Sequence, residues 1–205
     1  MLNGSQRPSY FKQILITFRL PMLKYLFLIS GLCSSIWVSA QETYEMKQGL
    51  IRFYSEAPQE LIRASTIQLK GILDIKKKVF AFKVSNSSFA GFNSPLQQEH
   101  FNENYMETDR YPESSFRGKI IEDVDVSKDG DYKVRAKGQL IIHGVAHERI
   151  IDVSIKTRDG KMTIHSEFLI SLGDHNIKIP KVVYDKLAPD IHVAVSGSMA
   201  PVGSK

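Results

Sequence analysis

The chain has 205 residues, with 27 basic and 22 acidic side chains, a formal charge of +5 and a single cysteine. Four of the basic residues (Arg7, Lys12, Arg19 and Lys24) lie in the first 40 positions, which hold no acid, so residues 41–205 carry 23 basic against 22 acidic groups. Such a balanced surface has no field to gather phosphates, which excludes nucleic acid as an expected partner; with Cys33 also in the leading segment, no thiol remains beyond it for a disulfide, a nucleophile or a zinc–sulfur site.

Residues 1–40 read as an export leader, with a basic start, an apolar run and a small-residue end. A start at Met22 would set Lys24 before the apolar stretch Tyr25 to Ile29, and Val38, Ser39 and Ala40 suit a signal peptidase. The expected domain organisation is therefore a signal peptide over 1–40 and one domain over 41–205, periplasmic or secreted after cleavage near Ala40. Ser30, Gly31, Ser34 and Ser35 interrupt the apolar run, which falls short of the roughly 20 residues a span requires, so no stable membrane span is expected. Leu32 stands before Cys33 where a lipid-attachment site takes a small residue, which argues against lipidation.

From Gln41 onward the dominant apolar period is two, placing alternate side chains on opposite faces of strands. Ile51, Phe53 and Ser55 make one face of a first strand, and Ile67, Leu69, Gly71 and Leu73 one face of a second. Lys76, Lys77 and Lys78 read as a solvated turn before Phe80, Phe82 and Val84 of a third. Ser94 as cap, Pro95 in the first turn and Glu99 predict a helix running to about Tyr105. Phe116, Gly118 and Ile120 mark a fourth strand, and the series Tyr132, Val134, Ala136, Gly138, Leu140 and Ile142 a fifth. Ile151, Val153 and Ile155 mark a sixth, Met162 to Ile170 in steps of two a seventh, and Ile191, Val193, Val195 and Gly197 an eighth. Between the last two, Ile179 to Leu187 predicts a short helix with Val182, Val183 and Leu187 on one stripe, ending before Pro189. Pro201 to Lys205 reads as a frayed tail.

Asp129-Gly130 and Asp159-Gly160 fall between alternating runs, where positive φ is easiest, and predict tight hairpins; His143-Gly144 is a third reversal. The expected fold is all-β: an eight-stranded antiparallel lipocalin-like β-barrel with one or two short helices, closed so that no edge is exposed and wide enough for about one small ligand.

The six histidines do not have the spacing of a metal site. His143 and His147 are four apart, which converges on a helix but not across a glycine turn, and His165, His175 and His192 have no matching cluster nearby. No glycine-tight nucleophile elbow accompanies Asp174-His175, which reads as a polar loop; Asp123 and Asp125 read as solvated, and no phosphate-cradling glycine motif occurs. No catalytic residue, metal or cofactor is assigned. Aromatic residues, by contrast, crowd the middle of the chain. An inward face rich in phenylalanine and glycine leaves room for an apolar tail, with Phe80, Phe82, Phe116, Leu140, Ile142 and Phe168 as candidate pocket walls and Phe89, Phe92, Phe101 and Tyr105 as the candidate entrance.

Phe89-Ala-Gly-Phe-Asn, then Gln98-Glu-His-Phe-Asn-Glu-Asn-Tyr-Met-Glu and Arg110-Tyr-Pro-Glu-Ser-Ser-Phe116, resemble the YceI-like periplasmic proteins, as does Gly138-Gln-Leu-Ile-Ile-His-Gly-Val145. The resemblance runs from about Thr43 to Ser198 and is most specific at Tyr111-Pro112 to Phe116 and at His143-Gly144-Val145. It implies an extended lipocalin-like barrel with a pocket for a polyisoprenoid or related long lipid, and it transfers no catalytic residue. Two segments depart from the family pattern: Met46-Lys-Gln-Gly-Leu-Ile-Arg-Phe53 stands where an aromatic and a His-Ser pair are usual, and Ala146-His147-Glu148 where Thr-Lys-Pro is commoner. The expected function is an exported carrier or sequestering protein for an apolar lipid, isoprenoid or acyl. Two alternatives stay open: an envelope stress-response or protein-interaction module with a fully packed core, and a metal-assisted hydrolase using His100, Glu103, His143 or His147.

Overall fold

The structure, a computed structural model, describes residues 43–203, and Gln41–Lys205 forms a compact unit of its own. The leader features, from the alternative start at Met22 through Cys33 to the cleavage site after Ala40, lie outside the described residues, as do Ser204 and Lys205.

Eight strands follow one another around a closed antiparallel barrel: β1 (Thr43–Glu56), β2 (Leu61–Asp74), β3 (Val79–Ser85), β4 (Glu113–Ile120), β5 (Gly130–Ile142), β6 (Val145–Arg158), β7 (Lys161–Ser171) and β8 (Asp190–Pro201), with β8 pairing back onto β1. The expected eight-stranded barrel is thus what the chain forms, every strand lying beside its sequence neighbour. The cause is plainest in β5, where Val134, Ala136, Leu140 and Ile142 are buried and Lys133, Arg135, Lys137 and Gln139 are exposed. Closure pairs both edges, so none of the described strands is left as a template for another chain.

The turns follow local chemistry where the turn is short. His143 and Gly144 have φ of 50° and 72°, and Asp159 and Gly160 of 50° and 71°, so both pairs make two-residue reversals with left-handed backbone at each position. Asp129-Gly130 does not: residues 121–129 form a longer connection between β4 and β5, because Val126 is drawn into the barrel, 2% exposed, and its carbonyl accepts a hydrogen bond from Thr157 Oγ1 at 2.7 Å. The 75–78 turn keeps Lys76 and Lys77 in solvent and pairs Lys78 with Asp123.

Other expectations need correction. Ile67 is 62% exposed and Thr66 is buried in its place, because β2 carries an extra residue against β1 between the Gly49–Leu69 and Ile51–Thr66 pairs. Strand β1 begins at Thr43, eight residues before the alternation at Ile51 announces it. The helix predicted over Ile179 to Leu187 is only a 3₁₀ turn at Lys181–Val183, and Val182 is 86% exposed, not on a buried stripe. Pro201 is not frayed: it ends β8 opposite Tyr44, and Val202 N donates to the Thr43 carbonyl at 3.0 Å.

Antiparallel order gives the barrel two unlike ends. At one end the connections are 57–60, 86–112, 143–144 and 172–189; at the other they are 75–78, 121–129 and 159–160. The second end is a floor, made by Tyr44, Met46, Leu73, Val126, Met162 and Met199, all of them buried. The first carries α1 (Pro95–His100), which continues into a π-helical turn at Phe101–Tyr105. Ser94 caps α1 as expected, its Oγ accepting from Gln97 N at 3.2 Å, with Pro95 in the first turn.

Candidate functional site: an apolar cavity under a helical cover

The excursion 86–112 is closed at its base by Asn86, which is 1% exposed. Its backbone N donates to the Pro112 carbonyl at 2.9 Å and Nδ2 to the Tyr111 carbonyl at 2.6 Å, while Oδ1 accepts from Ser114 Oγ at 2.7 Å. Three bonds on one buried side chain and its own backbone fix where the loop leaves and rejoins the sheet. Between these points, the Ser65–Ala90 bridge holds the outgoing arm against β2, and α1 with its π-helical turn lies over the barrel end.

Beneath this cover the interior holds a cavity of about 460 Å³. The fully packed interior weighed from the sequence is therefore not what the barrel has. All six candidate wall residues, Phe80, Phe82, Phe116, Leu140, Ile142 and Phe168, line it, as do the four candidate entrance residues Phe89, Phe92, Phe101 and Tyr105. Phe80 packs on Phe116 with ring centroids 4.9 Å apart and on Phe82 at 6.0 Å. Phe82 also covers Gly71 of β2, where a Cβ would stand 2.2 Å from the ring.

The second aromatic group centres on Phe53, which sequence reasoning placed on a strand face but not in the site. Its ring stacks on Phe101 at 5.6 Å and 20° and meets Phe89 at 5.3 Å and Phe92 at 6.0 Å. Phe92 and Phe101 are 5.1 Å apart. The cover and β1 thus share one aromatic cluster, with Phe89 only 7% exposed and so deeper than a rim position. Burial raises the Tyr105 phenol above its ordinary value of 10.0. Ile51, Leu69, Ile155, Ile164 and Met199 complete the depth of the cavity toward the floor. The period-two positions of Ile51, Leu69, Ile155 and Ile164, and room between the inward faces, were expected from the sequence; Met199 was not singled out there.

Polar lining gathers at the covered end. Glu60 of the 57–60 turn, Gln97 and His100 of α1 and Lys186 of the 181–187 segment line this end, and Lys83, Asn86, Ser114 and Ser115 lie along the adjoining ends of β3 and β4. Gln97 Nε2 donates to Glu60 Oε1 at 2.5 Å, Asn93 Nδ2 to the Leu61 carbonyl at 3.0 Å, and Gln59 N to the Asp185 carbonyl at 2.8 Å. His100 and Lys186 are exposed as well as lining, so the cavity reaches solvent at the covered end.

The candidates for a metal-assisted hydrolase do not converge. His100 and Glu103 are exposed on the helical cover; His143 is engaged by Glu107 at Nε2 and by the His175 carbonyl at Nδ1, not exposed at a turn; His147 meets the His175 ring edge-on at 5.1 Å. His175 is not in a polar loop but fully buried. Among the described residues no group of three His, Cys, Asp or Glu side chains is placed to hold a metal ion.

Solved structures with the same architecture include a polyisoprenoid binding domain from Saccharophagus degradans, matched with a TM-score of 0.68 and 13% identity over 77% of this chain and 98% of that one. BcnA of Burkholderia cenocepacia gives 0.60 and 14% over 73% and 95%, and a YceI protein of Campylobacter jejuni 0.52 and 17% over 66% and 82%. Identities this low carry the fold alone. No curated protein matches the sequence. The model of the YceI-like domain matches residues 55–199, from the end of β1 almost to the end of β8, and the chain therefore belongs to the YceI-like family.

Proposed function

We propose that this chain is an exported carrier or sequestering protein that holds a long apolar molecule, a polyisoprenoid or a related lipid, inside the barrel. The observation that carries the reading is the cavity itself: floored by packed methionines, walled by Phe80, Phe82, Phe116, Leu140, Ile142 and Phe168, and polar mainly toward the covered end, with Ser166 at mid-depth donating its hydroxyl to the Asp152 carbonyl. An apolar tail leaving water for such walls gains about 0.8 kcal/mol per methylene, so tight binding needs no polar contact along its length. Phe92 with Phe101 and Tyr105 of the helical cover then form the entrance, and Phe89 lies deeper behind them. The Saccharophagus degradans domain, described as polyisoprenoid-binding, supports the ligand class. The leader features of residues 1–40 support export to the periplasm or beyond. Binding is the whole of the assigned activity; no chemical step is required of any residue.

Organic extraction of Gln41–Lys205 purified from an envelope fraction, followed by mass spectrometry, tests the reading. A single lipid class near one equivalent per chain is expected, with saturable uptake of a fluorescent apolar probe after delipidation. An empty extract together with no saturable uptake would overturn it.

A further inference from the structure

Among the described residues, Val182 is the most exposed large hydrophobic side chain, at 86%; Leu96 and Tyr184, 57% each, and Leu61, 40%, are further exposed apolar or aromatic side chains at the covered end, while Leu169 and Tyr54 are exposed on the barrel wall near it. Val182, Leu96, Tyr184 and Leu61 each stand on one of the three segments that frame the cavity opening, and each lies close in sequence to a residue that lines it: Leu61 beside Ile62, Leu96 beside Gln97, Val182 beside Val183, and Tyr184 two residues before Lys186. The three segments are joined by the Gln97–Glu60, Asn93–Leu61 and Gln59–Asp185 hydrogen bonds. Exposed apolar side chains therefore stand around the polar mouth of the cavity and face water.

We infer that this rim docks the barrel on the surface of a phospholipid bilayer, with Val182, Tyr184, Leu96 and Leu61 inserted among the headgroups and the cavity opening facing the lipid. The inference rests on the cavity's taking an apolar ligand: such a ligand resides in a bilayer, and a rim seated among the headgroups lets its tail pass the polar mouth of the cavity without crossing bulk water. The occupant is also indicated by the chemistry of the 178–186 segment. Lys178, Lys181 and Lys186 flank its apolar and tyrosine side chains with Asp185 as the only acid, and none of the three lysines forms an ion pair with a described carboxylate. Tyrosine at the headgroup level and lysine stems along apolar surface with their ammonium groups toward phosphate are how interfacial segments anchor. Glu60, Glu99 and Glu103 make the other side of the rim acidic, so insertion of the 181–186 side leads and the attraction to anionic lipid is local.

The experiment uses Gln41–Lys205, which contains no tryptophan, since Trp37 is the only one in the chain. A Val182→Trp variant is mixed with vesicles of equal parts phosphatidylcholine and phosphatidylglycerol, and its emission is expected to shift to the blue; Ile121→Trp, at the floor end, is expected to keep its emission unchanged. Co-sedimentation of the otherwise native protein should fall at least about tenfold in a Val182→Asp, Leu96→Asp double variant and stay level in Ile121→Asp. Both sites are exposed, and circular dichroism with thermal melts confirms the fold. Uptake of cis-parinaric acid delivered from ethanol separates the two readings. Normal uptake with no vesicle binding, or with a rim that instead pairs two copies or captures a protein, overturns the docking inference alone. No uptake by any route overturns the carrier reading beneath it.

Discussion

His143 and Glu107, 36 residues apart, are joined by a 2.6 Å hydrogen bond between Nε2 and Oε2, and the other ring nitrogen of His143 lies 3.1 Å from the His175 carbonyl. One imidazole thus fastens the end of the helical cover to the β5–β6 turn and that turn to the 172–189 connection. The Tyr111 ring packs edge-on against His143 at 4.6 Å and fills the space over Gly144, where a Cβ would stand 2.4 Å from it. Because Glu107 itself sits at φ 44°, a backbone region unfavourable without glycine, the bond also holds strain in place.

His143→Ala is expected to lower unfolding free energy by about 1–3 kcal/mol, the cost of leaving a largely buried polar cluster unsatisfied. It should also speed probe dissociation several-fold, since Phe101 and Tyr105 are carried on the segment it releases. Urea denaturation and stopped-flow displacement measure the two; equal dissociation rates in both proteins would show that the cover does not gate the cavity.

His175 is fully buried, with Nδ1 within 3.2 Å of the Val145 carbonyl and Nε2 without a partner. Burial, the largest effect, depresses its pKa below the ordinary 6.5; the Val145 carbonyl opposes it, His147 adds a smaller depression, and Asp174 and the Ile142 backbone oppose more weakly still. Above that ordinary value neither state binds the proton. As pH falls below it the unfolded chain takes the proton and the native barrel does not, so stability drops until the depressed native value is passed, after which the slope ends. Subtracting the profile of His175→Phe from that of the native protein should isolate this acid-side loss. Parallel denaturation profiles from neutral to mildly acidic pH would contradict the assignment.

Ile67→Lys is expected to change stability by no more than about 0.5 kcal/mol, as an ordinary surface substitution does. Leu69→Lys, two residues on, should unfold the barrel by burying an unpaired charge among apolar walls. Strict alternation from Leu73 back to Ile67 would make both changes equally severe, so thermal melts of the pair test the bulge directly.

What the sequence made legible was local. Alternation in β5, the two-residue turns at His143-Gly144 and Asp159-Gly160, and the Ser94–Pro95 cap each depend on residues within a few positions of one another. What was not legible depended on a partner far along the chain. Ile67 faces outward because of how β2 registers on β1; Asp129-Gly130 is no hairpin because Val126 is held by Thr157 on β6. Asn86 and His175 are polar residue types whose burial makes sense only once Tyr111, Ser114 and Val145 are beside them. The ten candidate cavity residues came from the inward faces and the aromatic run, while Phe53, at the centre of the covering cluster, was hidden as one more strand residue.

Gly118 and Gly138 stand opposite each other in the β4–β5 ladder, and there the strands approach too closely for a side chain. A Cβ on Gly138 would lie 2.2 Å from the Arg117 carbonyl oxygen, and one on Gly118 2.0 Å from that of Lys137. Those atoms are backbone and cannot rotate away. Gly138→Ala should therefore cost about 1–3 kcal/mol through forced strand separation. Gly160→Ala meets open space and pays only for its positive φ, about 1 kcal/mol. Chemical denaturation should rank Gly138→Ala as the worse of the two; the reverse order would mean that the ladder yields there.

Ala136 offers the cleanest way to separate cavity from fold. It is the smallest side chain on the buried face of β5 apart from the glycines, lies between Val134 and Gly138 on the cavity wall, and is 6% exposed. A ring placed there enters existing space instead of displacing packed neighbours, so Ala136→Phe should keep or slightly raise stability, as filling a void does. The same ring takes room from the ligand's tail. Each displaced methylene removes about 0.8 kcal/mol of transfer energy, so losing two weakens binding by roughly tenfold or more. Lys137→Phe, one position on and facing solvent, adds the same ring outside the barrel and should leave uptake unchanged. Titration of a fluorescent fatty acid into both variants reads the difference; equal affinities, with both proteins folded, would place the ligand somewhere other than the barrel interior.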